Sequence, residues 1–70
     1  MKKFSEIIKK LRVEKGLTQE QLAEEIGVSK STIAMWETGK REPSRNLYEE
    51  VADYFNVDID YLYGRTNIRK

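Results

Sequence analysis

The amino-acid sequence predicts an all-α protein, a compact five-helix domain, and two observations support this. Apolar residues recur at helical spacing in five successive segments, while the apolar–polar alternation typical of strands is weak throughout. Each of the four glycines lies where one of these apolar patterns stops, and the single proline lies in a gap between two of them. The chain has no cysteine, which excludes disulfides and thiolate metal sites.

The first two helices are predicted over residues 3–15 and 18–26. One apolar stripe at positions i, i+3, i+4 and i+7 of the first helix is formed by Phe4, Ile7, Ile8 and Leu11. The second helix begins at Thr18, which forms with Gln21 the capping-box pattern of a helix start. It stops at Gly27, because glycine tolerates the left-handed conformation that ends helices.

Three more helices are predicted over residues 29–38, 44–55 and 58–63. Ser29 is a typical N-cap for the third helix, which turns Ile33 and Trp36 inward. The fourth helix is expected to bury Leu47, Tyr48, Val51, Ala52 and Phe55. We expect residues 1–64 to form the domain and residues 65–70 to form a loose polar tail.

The composition argues against an enzyme and against a membrane protein. Histidine is absent as well as cysteine, which removes the commonest general base and metal ligand. The longest apolar run is far shorter than the ~20 residues of a membrane span. The N-terminus also lacks the apolar segment of a signal peptide. We expect no catalytic site, no metal, no cofactor and a cytoplasmic location.

The charge is distributed unevenly along the chain, although the formal net charge is only +1. Residues 46–63 contain five acids and no base, so the rest of the chain has thirteen bases against seven acids, a net +6. This imbalance suggests one face that can approach phosphate and one that cannot. Charge alone fits an ordinary solvated surface equally well.

The connection between the second and third helices indicates a helix-turn-helix motif. Only residues 27–29 separate the two helices, and a three-residue turn containing glycine is typical of that motif. Ala23 is small, which lets the third helix cross close to the second. Ile33 and Trp36 then pack back against the first two helices, so the outer face of the third helix is left clear of the core.

Several segments resemble the phage Cro and lambda-repressor family, also called the XRE family. They are Leu17–Ala23, Gly27–Ile33, Trp36–Pro43 and, later, Leu47 with Val57–Leu62. The match runs in order over roughly residues 4–64. The resemblance implies a lambda-repressor-like helix-turn-helix DNA-binding domain. It also implies a sequence-specific transcriptional regulator, a repressor in the first instance, that binds double-stranded DNA at a near-palindromic operator.

The outer face of the third helix is predicted to read base pairs, because recognition helices present their N-terminal residues to base edges. The expected base contacts are Lys30, Ser31, Thr32, Ala34 and Met35. Lys30 suits guanine O6 and N7, and Met35 suits a thymine methyl. The alternative for Lys30 is that it contacts phosphate and no base. Ser31 and Thr32 could simply be first-turn helix residues, and Met35 could be a single exposed apolar residue. Family members often have glutamine at these positions, so the target sequence stays open.

Phosphate contacts are expected on both sides of the third helix. The residues are Gln19, Thr38, Lys40, Arg41 and Arg45, together with loop amides. The resemblance implies the same role for Gln19, and it implies a structural ion pair between Arg12 and Glu37. The alternatives are that Gln19 is a solvated helix-start residue and that residues 38–45 form an ordinary charged surface loop. Arg12 and Glu37 could likewise be two unrelated surface charges.

A homodimer on DNA is expected, because one short helix reads only about half a turn and such regulators bind half-sites ~34–36 Å apart. The resemblance places the dimer contact at Arg45, Leu47, Ile59 and Tyr61. We do not expect Ile59, Tyr61 and Tyr63 all to fit into so small a core. The alternative function is an antitoxin or another protein-interaction module with the same fold. The sequence leaves open whether the chain binds a protein partner and whether a further C-terminal domain follows it.

Overall fold

Five α-helices form the computed structural model, which describes residues 3–69. They are α1 (Phe4–Glu14), α2 (Gln19–Ile26), α3 (Lys30–Thr38), α4 (Arg45–Phe55) and α5 (Ile59–Leu62). Residues 3–69 contain no strand, and the predicted all-α, five-helix fold is confirmed. Each helix begins one residue later than predicted, because the predicted first residue is the N-cap, which lies half outside the helix.

Local side-chain chemistry explains where the helices begin and end. The Thr18 Oγ1 and Ser29 Oγ atoms each accept a backbone N–H three residues later, both at 3.1 Å, which satisfies an amide that the helix leaves free. Ser44 caps α4 in the same way. Helices α2 and α3 end at Gly27 and Gly39, whose φ angles of 89° and 78° lie in the left-handed region that glycine adopts without strain.

An aromatic cluster lies beneath α3 and joins it to α1 and α4. The Phe4 ring packs edge-on against Trp36, with centroids 5.9 Å apart, and against Tyr48, with centroids 4.9 Å apart. The Tyr63 ring lies 4.4 Å from Tyr48 on the far side. Pairs of this kind contribute about 0.5–1.5 kcal/mol each beyond area burial. The indole of Trp36 is only 2% exposed, so this cluster fixes the position of α3.

Helix α4 buries fewer side chains than predicted. Tyr48, Val51 and Ala52 are buried, whereas Leu47 and Phe55 are half-buried at the edge of the core. The buried residues form the central line of the helix face, and the two half-buried residues flank it.

The C-terminal segment is tethered, although the sequence predicted a loose tail. The carbonyl oxygen of Arg69 accepts the backbone N–H of Asp58 at 2.6 Å. The Arg69 guanidinium pairs with Glu14 at 2.8 Å and lies 5.6 Å from the centroid of the Tyr61 ring. The predicted tail therefore connects α1 and α5 as far as Arg69, and Lys70 lies outside the described residues.

Residues 3–69 offer neither a membrane-spanning helix nor a cluster of metal ligands. None of the helices in this range has both the length and the apolar character needed to cross a bilayer. No group of three or more His, Cys, Asp or Glu side chains in the same range is arranged to hold a metal ion.

Candidate nucleic-acid interface

The turn between α2 and α3 holds the two helices at a close crossing. The backbone N–H groups of Gly27 and Val28 both donate to the carbonyl of Ala23, at 2.8 and 3.0 Å. Ala23 is itself buried, so a larger side chain at this position would push the two helices apart. The direction in which α3 leaves the turn is therefore set by backbone hydrogen bonds and by one small residue.

Helix α3 is buried on one face and open on the other. Ile33 and Trp36 face the core and are almost completely enclosed. Lys30 and Ser31 are exposed, and Ala34 and Met35 are half-buried. No segment of the described chain covers Ser31, so the outer face of α3 is accessible to a partner.

The hydroxyl of Thr32 takes part in the cap of α3 and is not free. Its Oγ1 atom lies 2.9 Å from the Ser29 Oγ atom, which also accepts the Thr32 backbone N–H. Thr32 is half-buried at this position. Of the five residues predicted to contact bases, Thr32 is thus the one whose polar group is already engaged in the helix start.

Thr38, at the last turn of α3, also uses its hydroxyl within the helix. The Oγ1 atom donates to the carbonyl oxygens of Ala34 and Met35, at 3.1 and 3.2 Å. A phosphate contact by Thr38 would require this hydroxyl to rotate away from both carbonyls. The methyl group is the part of the Thr38 side chain that these hydrogen bonds leave free.

The loop after α3 offers exposed side chains to a phosphate, whereas its first three backbone amides are engaged within the chain. The N–H groups of Gly39 and Lys40 donate to the carbonyls of Trp36 and Met35, at 3.3 and 3.0 Å. The N–H of Arg41 also donates to Met35, at 3.4 Å. These amides close the C-terminus of α3, where four carbonyls lack helical partners. The side chains of Lys40 and Arg41 are exposed.

A contact that the sequence did not indicate attaches this loop to α4. The Tyr48 hydroxyl donates to a carboxylate oxygen of Glu42 at 2.6 Å. Burial, followed by the hydrogen bond to Glu42, raises the pKa of Tyr48 above its ordinary value. The hydrogen bond attaches the loop to α4 beside Arg45, the exposed first residue of that helix.

Arg12 and Glu37 form a bidentate ion pair between α1 and the end of α3. The Arg12 Nε–Glu37 Oε2 distance is 2.6 Å and the Nη2–Oε1 distance is 3.0 Å, and the two side chains are only 13% and 4% exposed. Arg12 Nη1 also donates to the carbonyl of Leu17 at 2.8 Å. The hydrogen bond to Glu37 raises the pKa of Arg12, although burial acts in the opposite direction.

Gln19 joins the same ion pair, which the sequence did not reveal. Its Nε2 atom donates to the Oε1 atom of Glu37 at 3.1 Å, so Glu37 links the start of α2 to the end of α3. Gln19 and Lys30 also line one open groove, together with Arg12, Thr18 and Glu20. The structure thus brings a predicted phosphate contact, Gln19, beside a predicted base contact, Lys30.

The residues predicted for the dimer contact differ in accessibility. Arg45 is exposed, and Leu47 and Ile59 are half-buried. Tyr61 is only 7% exposed and lies beneath the Arg69 guanidinium. Ile59 and Tyr63 are half-buried, so the three side chains do not all fit inside the core, but the ring of Tyr61 is enclosed by its own chain. Little of its surface is left for a second copy.

Comparison with known proteins gave one family and several related regulators. A model of the helix-turn-helix family matches residues 8–62. The HTH-type transcriptional activator BcrR of Enterococcus faecalis is 44% identical over 59 residues, covering 84% of this chain and 29% of that protein. The cryptic phage CTXphi transcriptional repressor RstR of Vibrio cholerae is 40% identical over 67 residues, covering 93% and 60%.

Among solved structures, the P22 c2 repressor in complex with a synthetic operator is similar in fold. The TM-score is 0.83 at 26% sequence identity, and the match covers 89% of this chain and 94% of that one. The chain spans less than a third of the length of the Enterococcus activator and less than two thirds of that of the Vibrio repressor.

Proposed function

Since the chain belongs to the helix-turn-helix family, of the Cro and lambda-repressor type, we propose that it is a sequence-specific DNA-binding regulator of transcription. One observation carries the proposal: the packing of Ile33 and Trp36 leaves the opposite face of α3 open to solvent. A helix held in this way fits the major groove of B-DNA, which is wide enough to admit it.

The base contacts that we propose lie on this open face. They are Lys30, Ser31 and Met35, with Thr32 and Ala34 beside them. Lys30 would donate to guanine O6 or N7, and Ser31 can donate to or accept from several bases. The engagement of the Thr32 hydroxyl in the cap makes its methyl group the part that could reach a base.

The phosphate contacts that we propose flank α3 at both ends. Gln19 lines a groove with Lys30, the first residue of α3. Lys40, Arg41 and Arg45 lie beyond the C-terminus of α3, and Thr38 is its last residue. Such contacts position a protein on the duplex without reading its sequence. Each phosphate neutralised should lower the logarithm of the affinity by about 0.9 per tenfold increase in salt.

Two copies would bind one near-palindromic operator and repress transcription by occupying it. The exposed Arg45 and the half-buried Leu47 and Ile59 are the residues that we assign to the contact between copies. A symmetric contact would place the two α3 helices one turn of DNA apart, so the half-sites should repeat at ~34–36 Å. We assign no catalytic role to any residue.

Selection of bound sites from random duplex DNA tests the proposal, because it reports target, symmetry and half-site spacing together. We expect an inverted repeat with the spacing of one helical turn. Fluorescence anisotropy with the selected duplex should show saturable binding that weakens steeply with salt. Absence of saturable binding at low salt would favour the protein-interaction module instead.

Arg41→Ala refines this experiment, and Lys15→Ala is its matched control. Both substitutions remove one positive charge, but Lys15 lies over the Tyr54 ring of α4, with 4.7 Å between its Nζ atom and the ring centroid. We expect Arg41→Ala to weaken binding by a similar factor on all sequences and Lys15→Ala to change it little. A strongly sequence-dependent loss would mean that Arg41 reads bases.

A further inference from the structure

The outer face of α3 changes in chemical character along its length. In the first turn, the side chains of Lys30 and Ser31 are exposed and have no hydrogen-bond partner among residues 3–69. In the following turns, Ala34 offers only a methyl group and Met35 a thioether, which is a very weak acceptor. The polar part of the open face is therefore confined to the N-terminal end of the helix.

Thr38 and Glu37 are the polar residues of the later turns of α3, and neither offers a free polar group to a groove. The Thr38 hydroxyl donates hydrogen bonds to the carbonyls of Ala34 and Met35. The Glu37 carboxylate is turned away into the ion pair with Arg12. What the second and third turns present to a groove is thus a set of methyl groups and a thioether.

From this arrangement we propose that the second and third turns of α3 recognise the C5-methyl group of a pyrimidine in the major groove, with Met35 as the main contact and Ala34 beside it. The proposal rests on the proposed DNA-binding function. Thymine and 5-methylcytosine both carry this methyl group, which is the apolar substituent that base pairs present in the major groove. Methionine suits the contact, because its flexible side chain adapts to an irregular apolar surface.

Discrimination would come from the polar groups of other bases. A guanine or an adenine beneath Met35 would lose water from a carbonyl or amino group without gaining a hydrogen bond in exchange, and an unmethylated cytosine would lack the methyl contact. Burial of one methyl group corresponds to roughly a fourfold difference in affinity. The methyl contact alone should therefore be visible as a change of about fourfold in Kd at each position involved.

The experiment uses the full chain and duplexes built on its selected half-site. Each thymine is replaced singly by uracil, which removes only the methyl group, and binding is measured by fluorescence anisotropy. In a second series, 5-methylcytosine and cytosine are compared at the same positions. We expect about fourfold weaker binding with uracil at one or two positions of each half-site, and little change at the other thymines.

Met35→Ala identifies the residue that makes the contact, with Val13→Ala, which shortens an exposed apolar side chain of α1, as the matched control. At the sensitive position, Met35→Ala should bind thymine and uracil duplexes equally, whereas Val13→Ala should keep the difference. Circular dichroism and thermal melting of both variants establish that they are folded. A thymine–uracil difference that persists in Met35→Ala would overturn the assignment to Met35.

The remaining outcomes are distinct from one another. If the selected duplex is bound but uracil equals thymine and cytosine equals 5-methylcytosine at every position, the methyl proposal is wrong and the DNA-binding function stands. A preference for 5-methylcytosine over cytosine without one for thymine over uracil assigns the contact to methylated cytosine. No saturable binding to any duplex removes the proposed function and this inference together.

Discussion

The two faces of α3 are parts of one nine-residue helix that are under opposite constraints. On the inner face, Ile33 and Trp36 fill enclosed space, and the Phe4 ring fixes the indole edge-on. On the outer face, the side chains of Lys30 and Ser31 form no hydrogen bond with any other group of residues 3–69. The inner face therefore decides where the helix lies, and the outer face is free to vary without changing the fold.

This comparison predicts a gradient of stability across the helix. Substitutions of inner residues should destabilise the domain strongly, substitutions at the cap moderately, and substitutions of outer residues hardly at all. The free energy of unfolding, measured by urea denaturation, reports this gradient directly.

Trp36→Ala should have the largest effect, a loss of about 3–5 kcal/mol, because it leaves a cavity and removes the aromatic contact with Phe4. A core of this size supplies only about 3–5 kcal/mol in total, so the variant should be largely unfolded at 25 °C by circular dichroism. Trp36→Phe keeps a ring in the cluster and should lose less. A Trp36→Ala variant with near-normal stability would show that α3 is held by other contacts.

Glu37→Ala should cost about 3 kcal/mol, because it leaves the Arg12 charge uncompensated in a site that is only 13% exposed. It also frees the Gln19 amide, which donates to the same carboxylate. The matched control is Glu14→Ala, which removes an ion pair with Arg69 in which both side chains are 43% exposed. Exposed pairs contribute at most about 1 kcal/mol. Equal losses in the two variants would mean that burial does not distinguish these ion pairs.

Ser29→Ala should lower the free energy of unfolding by about 1 kcal/mol, because the Ser29 hydroxyl accepts the backbone N–H of Thr32 at the start of α3. Ser31→Ala is the control, since Ser31 is exposed and its side chain caps nothing. Its expected effect is within about 0.5 kcal/mol. If Ser31→Ala proves the more damaging of the two, the serine assigned to the cap is the wrong one.

The features that the sequence predicted well are those set by local chemistry. Helix starts were predicted to within one residue, because an N-cap and the amide it binds lie three residues apart. Helix ends could be predicted from Gly27 and Gly39, because glycine adopts the left-handed conformation that ends a helix. The inward face of α3 could be predicted as well, because Ile33 and Trp36 are three positions apart and lie on one side of a helix.

The features that the sequence did not predict depend on how the helices dock. Gln19 and Glu37 are 18 positions apart, and Glu14 and Arg69 are 55 apart. No periodicity or cap pattern indicates that such side chains meet. The burial of Tyr61 could not be predicted for the same reason. The Arg69 side chain that lies over its ring belongs to a segment predicted to be loose.

The last prediction concerns the outer face, where the effect on stability should be smallest and the effect on specificity clearest. Lys30→Ala combined with Met35→Ala should change the free energy of unfolding by about 0.5 kcal/mol or less, because Lys30 is exposed and the better helix propensity of alanine offsets the partial burial of Met35. Site selection with the folded double variant should nevertheless return a different preferred sequence, because a donor and an apolar group have both been removed from the groove-facing surface. Retention of the original preference would move base recognition away from Lys30 and Met35, while the packing argument for the inner face would still hold.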